Sequence, residues 1–418
     1  MSFIIKEIIN TLKNENDIDL HKSLKTPLCA YIYDLPSLAT HARKMVKALP
    51  KNCELYYAAK ANPEDKILST LAPIVDGFEA ASGGELAWLK ECQPDIPLIF
   101  GGPGKLVSEL EQAIELNLEA IHVESLTELH RIEKICADNS QCQQQDKKKN
   151  TQCRILLRMN IGLEGLPSTK LTMGGKPTPF GFDEEELEKI LLIIKKSKHI
   201  KLMGFHFHLM SHQLDRKVHL GLMKLYFKTF QHWCDLYELE LPLLNVGGGI
   251  GIDYANPQQL FDWNAFCVDL EKLIKELNLQ KTIIRFECGR YVTANCGYYV
   301  MEVLDIKKNH GQYFAIGHGG THHFRTPAAQ NHDHPFFICE NNHKQETENS
   351  VECLKIEQQK ATLVGQLCTP KDILATQQYV ESLAIGDYLV FTQAGAYAWN
   401  ISHQNFLMHA SPIKFFIE

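Results

Sequence analysis

The chain has 418 residues, 44% of them apolar and 22% charged, which is enough to bury one large or two medium-sized cores. The formal net charge of −7 argues against a broad basic surface for nucleic acid. No apolar run reaches the ~18 residues that a membrane-spanning helix requires, and the apolar part of the N-terminus is too short for a secretory signal. We therefore expect a cytoplasmic protein that binds neither nucleic acid nor membranes.

The 13 cysteines are scattered and show no paired C-x-x-C spacing. An odd number of cysteines in a long chain is typical of free thiols in a reducing compartment. The absence of paired spacing also argues against a structural zinc site, and we predict that the protein holds no metal.

Eight apolar, β-rich segments recur between residues 54 and 288, with helical stretches between them. Strands that alternate with helices favour a parallel α/β fold, and eight such units favour a closed (β/α)8 (TIM) barrel. A doubly wound open sheet is the structural alternative. The predicted strands are 54–59, 74–80, 97–101, 119–124, 154–160, 202–208, 243–247 and 283–288.

After about residue 290, short strand-like runs separated by turns replace the helical periodicity, which predicts a second, mainly β domain. The early strand-like segment 28–33 could join it, leaving the barrel inserted between two parts. We predict 1–34 as the N-terminal part of the β domain, 35–289 as the barrel and 290–418 as the C-terminal β domain. The polar, low-complexity stretch 141–150 is typical of an exposed loop.

Lys60 ends the first predicted strand. A lysine at the end of an apolar run is costly unless its ammonium is neutralised, paired or made covalent. The chemistry that most often requires such a lysine is an imine with a carbonyl compound, because burial lowers the amine pKa. The alternative is a lysine whose ammonium snorkels into solvent at the strand end.

Chemically unusual residues follow several other predicted strands as well. In a barrel, the carboxyl ends of the strands meet on one face, where the active site lies. A random scatter would have placed some of these residues at the opposite ends, so the convergence predicts one site built from many strands. In chain order they are Lys60; 82–85; Arg158 and Asn160; 206–211; Gly247, Gly248 and Gly249; and Glu287, Cys288, Gly289 and Arg290.

The turns at 247–249 and 289–290 let backbone N–H groups approach a phosphate, and the arginine of the second turn adds a cation. Barrel phosphate sites cluster at the last two strands. Glu287 could keep a ring nitrogen protonated. His208 could lie flat against an aromatic ring, with a buried structural histidine as the alternative. Together with Lys60, these features predict a pyridoxal 5′-phosphate site.

The sequence resembles the barrel-type pyridoxal-phosphate decarboxylases, which include diaminopimelate, ornithine and arginine decarboxylases. The resemblance covers almost the whole chain, and the motifs come in the family's order. It implies that Lys60 binds the cofactor covalently, that His208 stacks on the ring and that Glu287 protonates it. The matching segments are 57–62, 206–211, 246–249, 287–290 (with Cys288 where the family has proline), 365–368 and 394–397.

The resemblance also implies a homodimer with shared active sites, in which Cys368 reaches the partner's site and supplies a proton. A related alanine racemase is disfavoured, because those enzymes place an arginine at the ring nitrogen where this chain has Glu287. The implied catalytic residues are Lys60, His208, Glu287 and Cys368, and the implied cofactor-binding residues are Lys60, Arg158, His208, Ser211, Gly247, Gly248, Gly249, Glu287, Gly289, Arg290 and Tyr397.

Two departures from the family's pattern concern the substrate. In ornithine and diaminopimelate enzymes an acidic residue follows the cysteine and receives the substrate's distal amine, whereas here Thr369 follows Cys368. The donor-rich segment 318–325 suits a substrate end that carries carboxylates. Both segments are most similar to decarboxylases of polycarboxylate siderophore pathways, which act on citryl–amino acid conjugates. The expected substrate-binding residues are Arg290, His323, Arg325, Asp372 and Tyr397.

We therefore expect a decarboxylase of a small-molecule conjugate, citryl-ornithine or citryl-diaminopropionate. The alternatives are a decarboxylase of free diaminopimelate or ornithine and a non-catalytic, decarboxylase-like regulator. The intact set of Lys60, Glu287 and Cys368 disfavours the regulator. The histidines of 318–334 could instead form a metal site, but their spacing does not match a helical HxxxH or HExxH motif.

Overall fold

The computed structural model describes residues 2–16, 26–142, 152–163, 171–172, 174–341 and 354–418. The chain divides into two compact units, each of which is described by itself. The β unit comprises Met1–Pro36, Tyr254–Gln258 and Thr293–Glu418, and the barrel unit comprises Ser37–Asp253 and Gln259–Val292. The domain boundaries predicted at 34/35 and 289/290 stay a prediction. The sequence did not indicate that 254–258 packs with the β unit.

The strands have the following bounds in chain order: β1 (Cys29–Asp34), β2 (Cys53–Ala58), β3 (Gly77–Ala80), β4 (Leu98–Phe100), β5 (Ala120–Val123), β6 (Cys153–Met159), β7 (Leu171–Thr172), β8 (Ile200–Phe207), β9 (Met210–Ser211), β10 (Leu243–Gly247), β11 (Ile283–Cys288), β12 (Gly297–Asn309), β13 (Gln312–Gly317), β14 (Phe336–Cys339), β15 (Ile356–Val364), β16 (Ile373–Leu383), β17 (Tyr388–Phe391) and β18 (Ile413–Ile417).

The α-helices have these bounds: α1 (Ser2–Asn16), α2 (Leu35–Ala48), α3 (Asp65–Leu71), α4 (Gly83–Cys92), α5 (Val107–Glu115), α6 (Leu126–Cys142), α7 (Leu187–Lys196), α8 (Arg216–Leu236), α9 (Trp263–Glu276), α10 (Arg290–Thr293) and α11 (Thr326–Gln330). Within the described ranges, no helix is both long enough and apolar enough to cross a membrane.

The barrel unit contains a closed barrel of parallel strands in the order β2–β3–β4–β5–β6–β8–β10–β11, with β11 pairing back to β2. The predicted TIM barrel is therefore confirmed, and the open doubly wound sheet is excluded because the first and last strands pair. Each of the eight predicted segments overlaps one of these strands.

Apolar side chains from five strands fill one level of the barrel interior; they are Tyr56, Ile99, Ala120, Leu156 and Leu243. Residues two apart on a strand point to the same face. Two positions after three of these residues stand His122, Arg158 and Asn245, all buried. A polar level therefore lies beside the apolar one, toward the carboxyl ends of the strands.

The β unit is built on an eight-stranded sheet that contains the path β14–β17–β12–β13–β15–β16, with β1 pairing β12 and β18 pairing β1. Its core includes Ile5, Ile9 and Leu12 of α1, which pack with buried residues of β1, β12 and β17. The second, mainly β domain was predicted, whereas the N-terminal helix was not.

The polar stretch 141–150 only partly agrees with its prediction as an exposed loop. Its first two residues, Gln141 and Cys142, end helix α6 instead. Helical hydrogen bonding continues there because α6 begins well before the polar run and its periodicity extends into it. The rest of the stretch lies outside the described residues.

Candidate active site

Lys60 lies in a single 3₁₀ turn, Ala59–Ala61, at the carboxyl end of β2. Its Nζ lies 2.8 and 2.7 Å from the two carboxylate oxygens of Glu79 on β3. The Lys60 side chain is 44% exposed and that of Glu79 is 5% exposed. The lysine is therefore paired and partly exposed, and the sequence had left both pairing and exposure at the strand end open.

Glu79 is the interior partner of this pair. Burial raises the pKa of Glu79, and the Lys60 ammonium opposes that rise. A carboxylate with a raised pKa at hydrogen-bond distance from an amine can accept the proton that the amine must lose before it acts as a nucleophile. The pair therefore gives Lys60 both an anchor and a local base.

The three glycines at the end of β10 form a turn that carries no side chains. The pairing of β10 with β11 shifts between Asn245 and Gly247, which is a β-bulge. Gly247 and Gly249 have φ angles of +65° and +96°, and a Cβ on Gly248 would lie 2.1 Å from the carbonyl oxygen of Glu287. Side chains are excluded at all three positions, so a phosphate can approach the backbone of this turn closely.

His208 lies against this turn. The Gly248 N–H donates to His208 Nδ1 at 3.2 Å, and Nε2 lies 3.1 Å from the Ser211 hydroxyl. Burial, followed by the charge of Arg158, holds the pKa of His208 well below its usual range, so the ring is neutral. Because Nδ1 accepts a hydrogen bond, the neutral ring carries its proton on Nε2 and donates to Ser211. The ring is thus fixed in one orientation without charge.

Glu287 on β11 occupies a buried pocket of polar but uncharged groups. Asn245 Nδ2 donates to Glu287 Oε1 at 2.6 Å. His122 Nε2 lies 3.5 Å from Oε1, and His206 Nε2 lies 3.4 Å from Oε2. Burial is the main cause that keeps the pKa of both histidines well below the usual range, so both rings are neutral. Among the described residues, the groups that contact this carboxylate are an amide and two neutral imidazole rings.

Arg158 on β6 forms a buried ion pair with Glu124, with 2.9 Å between Nη1 and Oε1. Glu124 also accepts hydrogen bonds from the backbone N–H groups of Gly102 and Gly181. The guanidinium lies over the Phe180 ring, 4.7 Å from its centre. Arg158 is therefore held rigidly in the polar level of the barrel.

Gly289 and Arg290 follow β11 directly. A Cβ on Gly289 would lie 2.9 Å from the Cβ of Ala61, so this glycine permits close contact with the turn that carries Lys60. Arg290 is half-buried and begins the short helix α10. The structure thus brings the ends of β10 and β11 beside the end of β2, as the sequence predicted.

Asp372 of the β unit is buried, and its carboxylate is occupied by internal donors. Oδ1 accepts hydrogen bonds from the backbone N–H and the hydroxyl of Thr321, and Oδ2 accepts one from the N–H of Leu367. Burial raises the pKa of Asp372. The sequence predicts a substrate-binding residue here. The structure instead shows a carboxylate that ties the segment around Thr321 to the one before Cys368.

His323 also lies inside the β unit, where it is 1% exposed. Its Nδ1 lies 3.4 Å from the Cys29 thiol and 3.2 Å from the Tyr299 hydroxyl. Burial lowers the pKa of His323 to about 3, so it carries no positive charge near neutral pH. The positive potential that the sequence suggested for segment 318–325 therefore does not come from this residue.

His332 and His334 have a structural role within the β unit. His332 stacks on Tyr254 with 4.6 Å between ring centres. His332 Nε2 lies 3.1 Å from His334 Nδ1, and His334 Nε2 lies 2.7 Å from the carbonyl oxygen of Thr392. These contacts attach segment 254–258 to the sheet.

Arg325, Cys368 and Tyr397 are the predicted β-unit site residues with accessible side chains. Arg325 and Cys368 are exposed, and Tyr397 is half-buried. Tyr397 has a φ angle of +50°, and its carbonyl oxygen accepts a hydrogen bond from the Thr326 hydroxyl. A left-handed backbone is unfavourable for a tyrosine and is common at functional positions. The assignment of these three residues to the site stays a prediction.

Sequence reasoning missed several barrel residues that complete the site: Glu79, His122, Glu124 and Asn245. Each is a polar residue on, or just after, a strand buried on both faces, which is ordinarily an apolar run. That mismatch was a usable signal for Glu79, His122 and Asn245. Which residue each one contacts depends on strand pairing and could not be derived from local pattern.

The barrel residues fit pyridoxal 5′-phosphate. The glycine turn suits its phosphate, neutral His208 suits its ring, Glu287 suits its ring nitrogen and Lys60 suits its aldehyde.

His122, His206 and Glu287 also have donor atoms within 4.8 Å of one another, a spacing that a metal ion could bridge. The N–H that Asn245 directs at Glu287 disfavours a cation there, so we keep the prediction that no metal binds.

Proteins of known sequence and structure are similar to this chain over most of its length. The family described as "Pyridoxal-dependent decarboxylase, pyridoxal binding domain" matches residues 35–294. A Staphylococcus aureus protein, 2-((L-alanin-3-ylcarbamoyl)methyl)-2-hydroxybutanedioate decarboxylase, is 42% identical over 395 residues, covering 94% of this chain and 95% of the relative. The L-glutamyl-BtrI acyl-carrier protein decarboxylase of Niallia circulans is 29% identical, with 94% and 89% covered. Diaminopimelate decarboxylase from Helicobacter pylori, complexed with L-lysine, has a TM-score of 0.79 at 25% identity, with 96% and 94% covered.

Proposed function

Because the chain belongs to the family of pyridoxal-dependent decarboxylases, we propose that it removes the α-carboxylate of an amino acid conjugated to citrate, in the biosynthesis of a polycarboxylate siderophore. The name of the S. aureus relative describes such a substrate, a hydroxybutanedioate joined through an amide to carbon 3 of alanine. The N. circulans relative also acts on an amino acid that is attached to a larger group.

The choice of substrate rests on Asp372, whose carboxylate already accepts hydrogen bonds from other residues of the chain. A free diamino acid presents a distal ammonium, which needs a carboxylate partner when it is taken out of water. Thr369 stands where the family's acidic residue would follow Cys368, and the nearest acid, Asp372, is buried and bonded to Thr321 and Leu367. An amine acylated by citrate carries no charge and needs no such partner.

Arg325 supports a substrate that ends in carboxylates. Arg325 is exposed, and its backbone N–H donates a hydrogen bond to the Ser402 hydroxyl oxygen at 3.0 Å. A guanidinium can bind a carboxylate through two parallel hydrogen bonds. We assign Arg325, with Arg290 and Tyr397, to substrate binding, and we withdraw His323 and Asp372 because both are buried and internally bonded.

Pyridoxal 5′-phosphate, when bound, supplies an aldehyde that reacts with amines and a ring that accepts the electron pair left by departing CO₂. The chain's residues hold and tune it. Lys60 would hold it covalently, with Glu79 placed to take the proton of the ammonium, and the turn of Gly247, Gly248 and Gly249 would hold its phosphate. Glu287 keeps the ring nitrogen protonated, which matters most while negative charge develops. Cys368 delivers a proton to the carbon that has lost CO₂.

The decisive experiment compares kcat/KM for CO₂ release from citryl-diaminopropionate, citryl-ornithine, ornithine and diaminopimelate. We expect a conjugate to be strongly preferred over both free diamino acids. The likeness to diaminopimelate decarboxylase makes the free diamino acid the competing substrate. Equal turnover of a free diamino acid and the conjugates would replace the proposal with a basic amino acid decarboxylase.

The variant Arg325→Lys sharpens this comparison. Lysine keeps the charge but cannot make two parallel hydrogen bonds, so kcat/KM for the conjugate should fall on the order of tenfold, while turnover of any free diamino acid stays unchanged. Lys371→Arg, a change at another described residue near the cysteine that keeps its charge, is the matched control. An unchanged kcat/KM for Arg325→Lys would remove Arg325 from the site.

We further propose that the enzyme works in the cytoplasm as a homodimer. The scattered cysteines support a reducing compartment, and the eleven whose side chains the structure describes form no disulfide. The dimer is the arrangement that the family resemblance implies.

A further inference from the structure

Asn245 makes two short hydrogen bonds from one fully buried side chain. Its Oδ1 accepts a hydrogen bond from the N–H of Gly247 at 2.9 Å. Its Nδ2 donates to Glu287 Oε1 at 2.6 Å. One amide therefore joins the glycine turn to the carboxylate of the neighbouring strand.

The orientation of this amide follows from its neighbours. The Gly247 N–H can only donate, and an ionised Glu287 carboxylate can only accept, so the oxygen of Asn245 must face the turn and its nitrogen the carboxylate. The β-bulge between Asn245 and Gly247 brings the N–H of Gly247 back toward the asparagine side chain. An aspartate could make the first bond but not the second, and an apolar residue could make neither.

Glu287 depends on this donor because its other close partners in the described part of the chain are weaker. The nearest atoms of His206 and His122 lie 3.4 and 3.5 Å away, and both rings are neutral in their buried setting. The amide of Asn245 thus provides the one short hydrogen bond that the structure gives this carboxylate. Without it, this buried carboxylate would lose its one short hydrogen bond among the described residues, which is costly for a buried charged group.

We propose that Asn245 is a positioning residue that couples the two ends of the cofactor site: its oxygen sets the glycine turn, and its nitrogen holds the Glu287 carboxylate in place. The inference rests on the proposed function, in which the turn binds phosphate and Glu287 serves the ring nitrogen.

Three variants separate the two bonds. Asn245→Asp keeps an acceptor for Gly247 but places a second carboxylate against Glu287, and the two must share a proton. Asn245→Ala removes both bonds. Glu287→Gln removes the carboxylate and keeps the shape. Asn52→Asp is the matched control, because Asn52 donates to the carbonyl oxygens of Leu279 and Thr282 before β2 begins, away from the site.

The readouts are the affinity for pyridoxal 5′-phosphate, the pH dependence of the bound cofactor's absorbance, and kcat and KM. For Asn245→Asp we expect affinity close to wild type, a displaced absorbance titration, and kcat at least roughly tenfold lower with little change in KM. For Asn245→Ala we expect weaker cofactor binding in addition. For Asn52→Asp we expect a lower Tm with an unchanged absorbance titration.

The double variant Asn245→Asp with Glu287→Gln tests the contact itself. The glutamine amide can donate to the new aspartate, so the hydrogen bond returns with its polarity reversed. We expect the double variant to have a higher Tm than Asn245→Asp alone, and to be more stable than the two single changes predict by addition. Strict additivity would overturn the coupling even if one single variant folds poorly.

Failure of the inference and failure of the proposed function give different results. A wild-type titration and kcat for Asn245→Asp, beside an impaired Glu287→Gln, would overturn the coupling alone. A wild-type titration and kcat for Glu287→Gln would overturn the assigned role of Glu287, and the coupling with it.

Discussion

The pairing of Lys60 with Glu79 explains how a reactive lysine can be kept at a strand end. The Lys60 side chain is 44% exposed and the Glu79 side chain is buried, so the ion pair supplies the charge partner that the buried carboxylate needs. Before the amine can react with an aldehyde, its ammonium must give up a proton, and Glu79 is placed to accept that proton because burial raises its pKa. The residue pair therefore connects local electrostatics with cofactor attachment.

Lys60→Ala should abolish covalent attachment of the cofactor. After borohydride reduction, mass spectrometry of the wild type should place the pyridoxyl group on the peptide that contains Lys60, and the variant should carry none. Lys66→Ala, which removes an exposed lysine of helix α3, should retain the modification. A reduced adduct on another lysine of the Lys60→Ala protein would show that the assignment is wrong.

His219 gives the fold a pH dependence that is separate from catalysis. It is 1% exposed, and neither ring nitrogen has a hydrogen-bond partner among the described residues. Burial lowers the pKa of His219 to about 4. Because the folded pKa lies below that of the unfolded chain, the unfolded state binds more protons, and stability falls as the pH drops below about 6.5.

His219→Leu should therefore stabilise the protein more at acidic pH than at neutral pH. The ring packs against Phe261 and Phe266, and leucine keeps an apolar contact there. Relative to the wild type, the variant should gain about 1 kcal/mol more unfolding free energy at about pH 5.5 than at about pH 7.5. Urea unfolding at the two pH values measures the difference, and an equal effect at both would contradict neutral burial of His219.

At the scale of elements, the barrel strands could be predicted because strands buried on both faces are nearly continuous apolar runs. The ends of the strands were predicted less accurately. The predicted strand 74–80 begins only at Gly77, since Ile74 and Val75 belong to the turn after α3, where their N–H groups donate to the carbonyl oxygen of Leu71. Apolar character alone does not distinguish a strand from a buried turn beside it.

The site could be predicted in part, for a related reason. The positions of Lys60, His208 and Glu287 at the carboxyl ends of strands locate them on one barrel face, since all parallel strands end there. The partner of each residue could not be derived, because a contact such as that between His122 and Glu287 joins positions far apart in the sequence. The helix α1 was missed although Ile5, Ile9 and Leu12 stand at helical spacing; what could not be derived locally is that they pack on strands from both ends of the chain.

At the scale of the whole molecule, the point to test is which chain of the proposed homodimer supplies Cys368 as the proton donor of a given site. Cys368 is exposed in the single chain, and it follows a segment that Asp372 fixes through Leu367. A fixed, exposed thiol is suited to act on a substrate held elsewhere. We expect that substrate to lie in the barrel of the partner chain, as the family resemblance implies.

Mixing two inactive variants tests this arrangement. Lys60→Ala and Cys368→Ala homodimers should each be inactive, but a hybrid dimer has one site in which both residues are wild type. Random exchange makes half of the dimers hybrid, so activity should return to about one quarter of the wild-type value. Lys60→Ala mixed with Glu287→Gln is the matched control, because both changes lie in the barrel and every hybrid site keeps one of them. Subunit exchange is verified by native mass spectrometry. If exchange is complete and the first mixture stays as inactive as the control, Cys368 acts within its own chain or has no catalytic role.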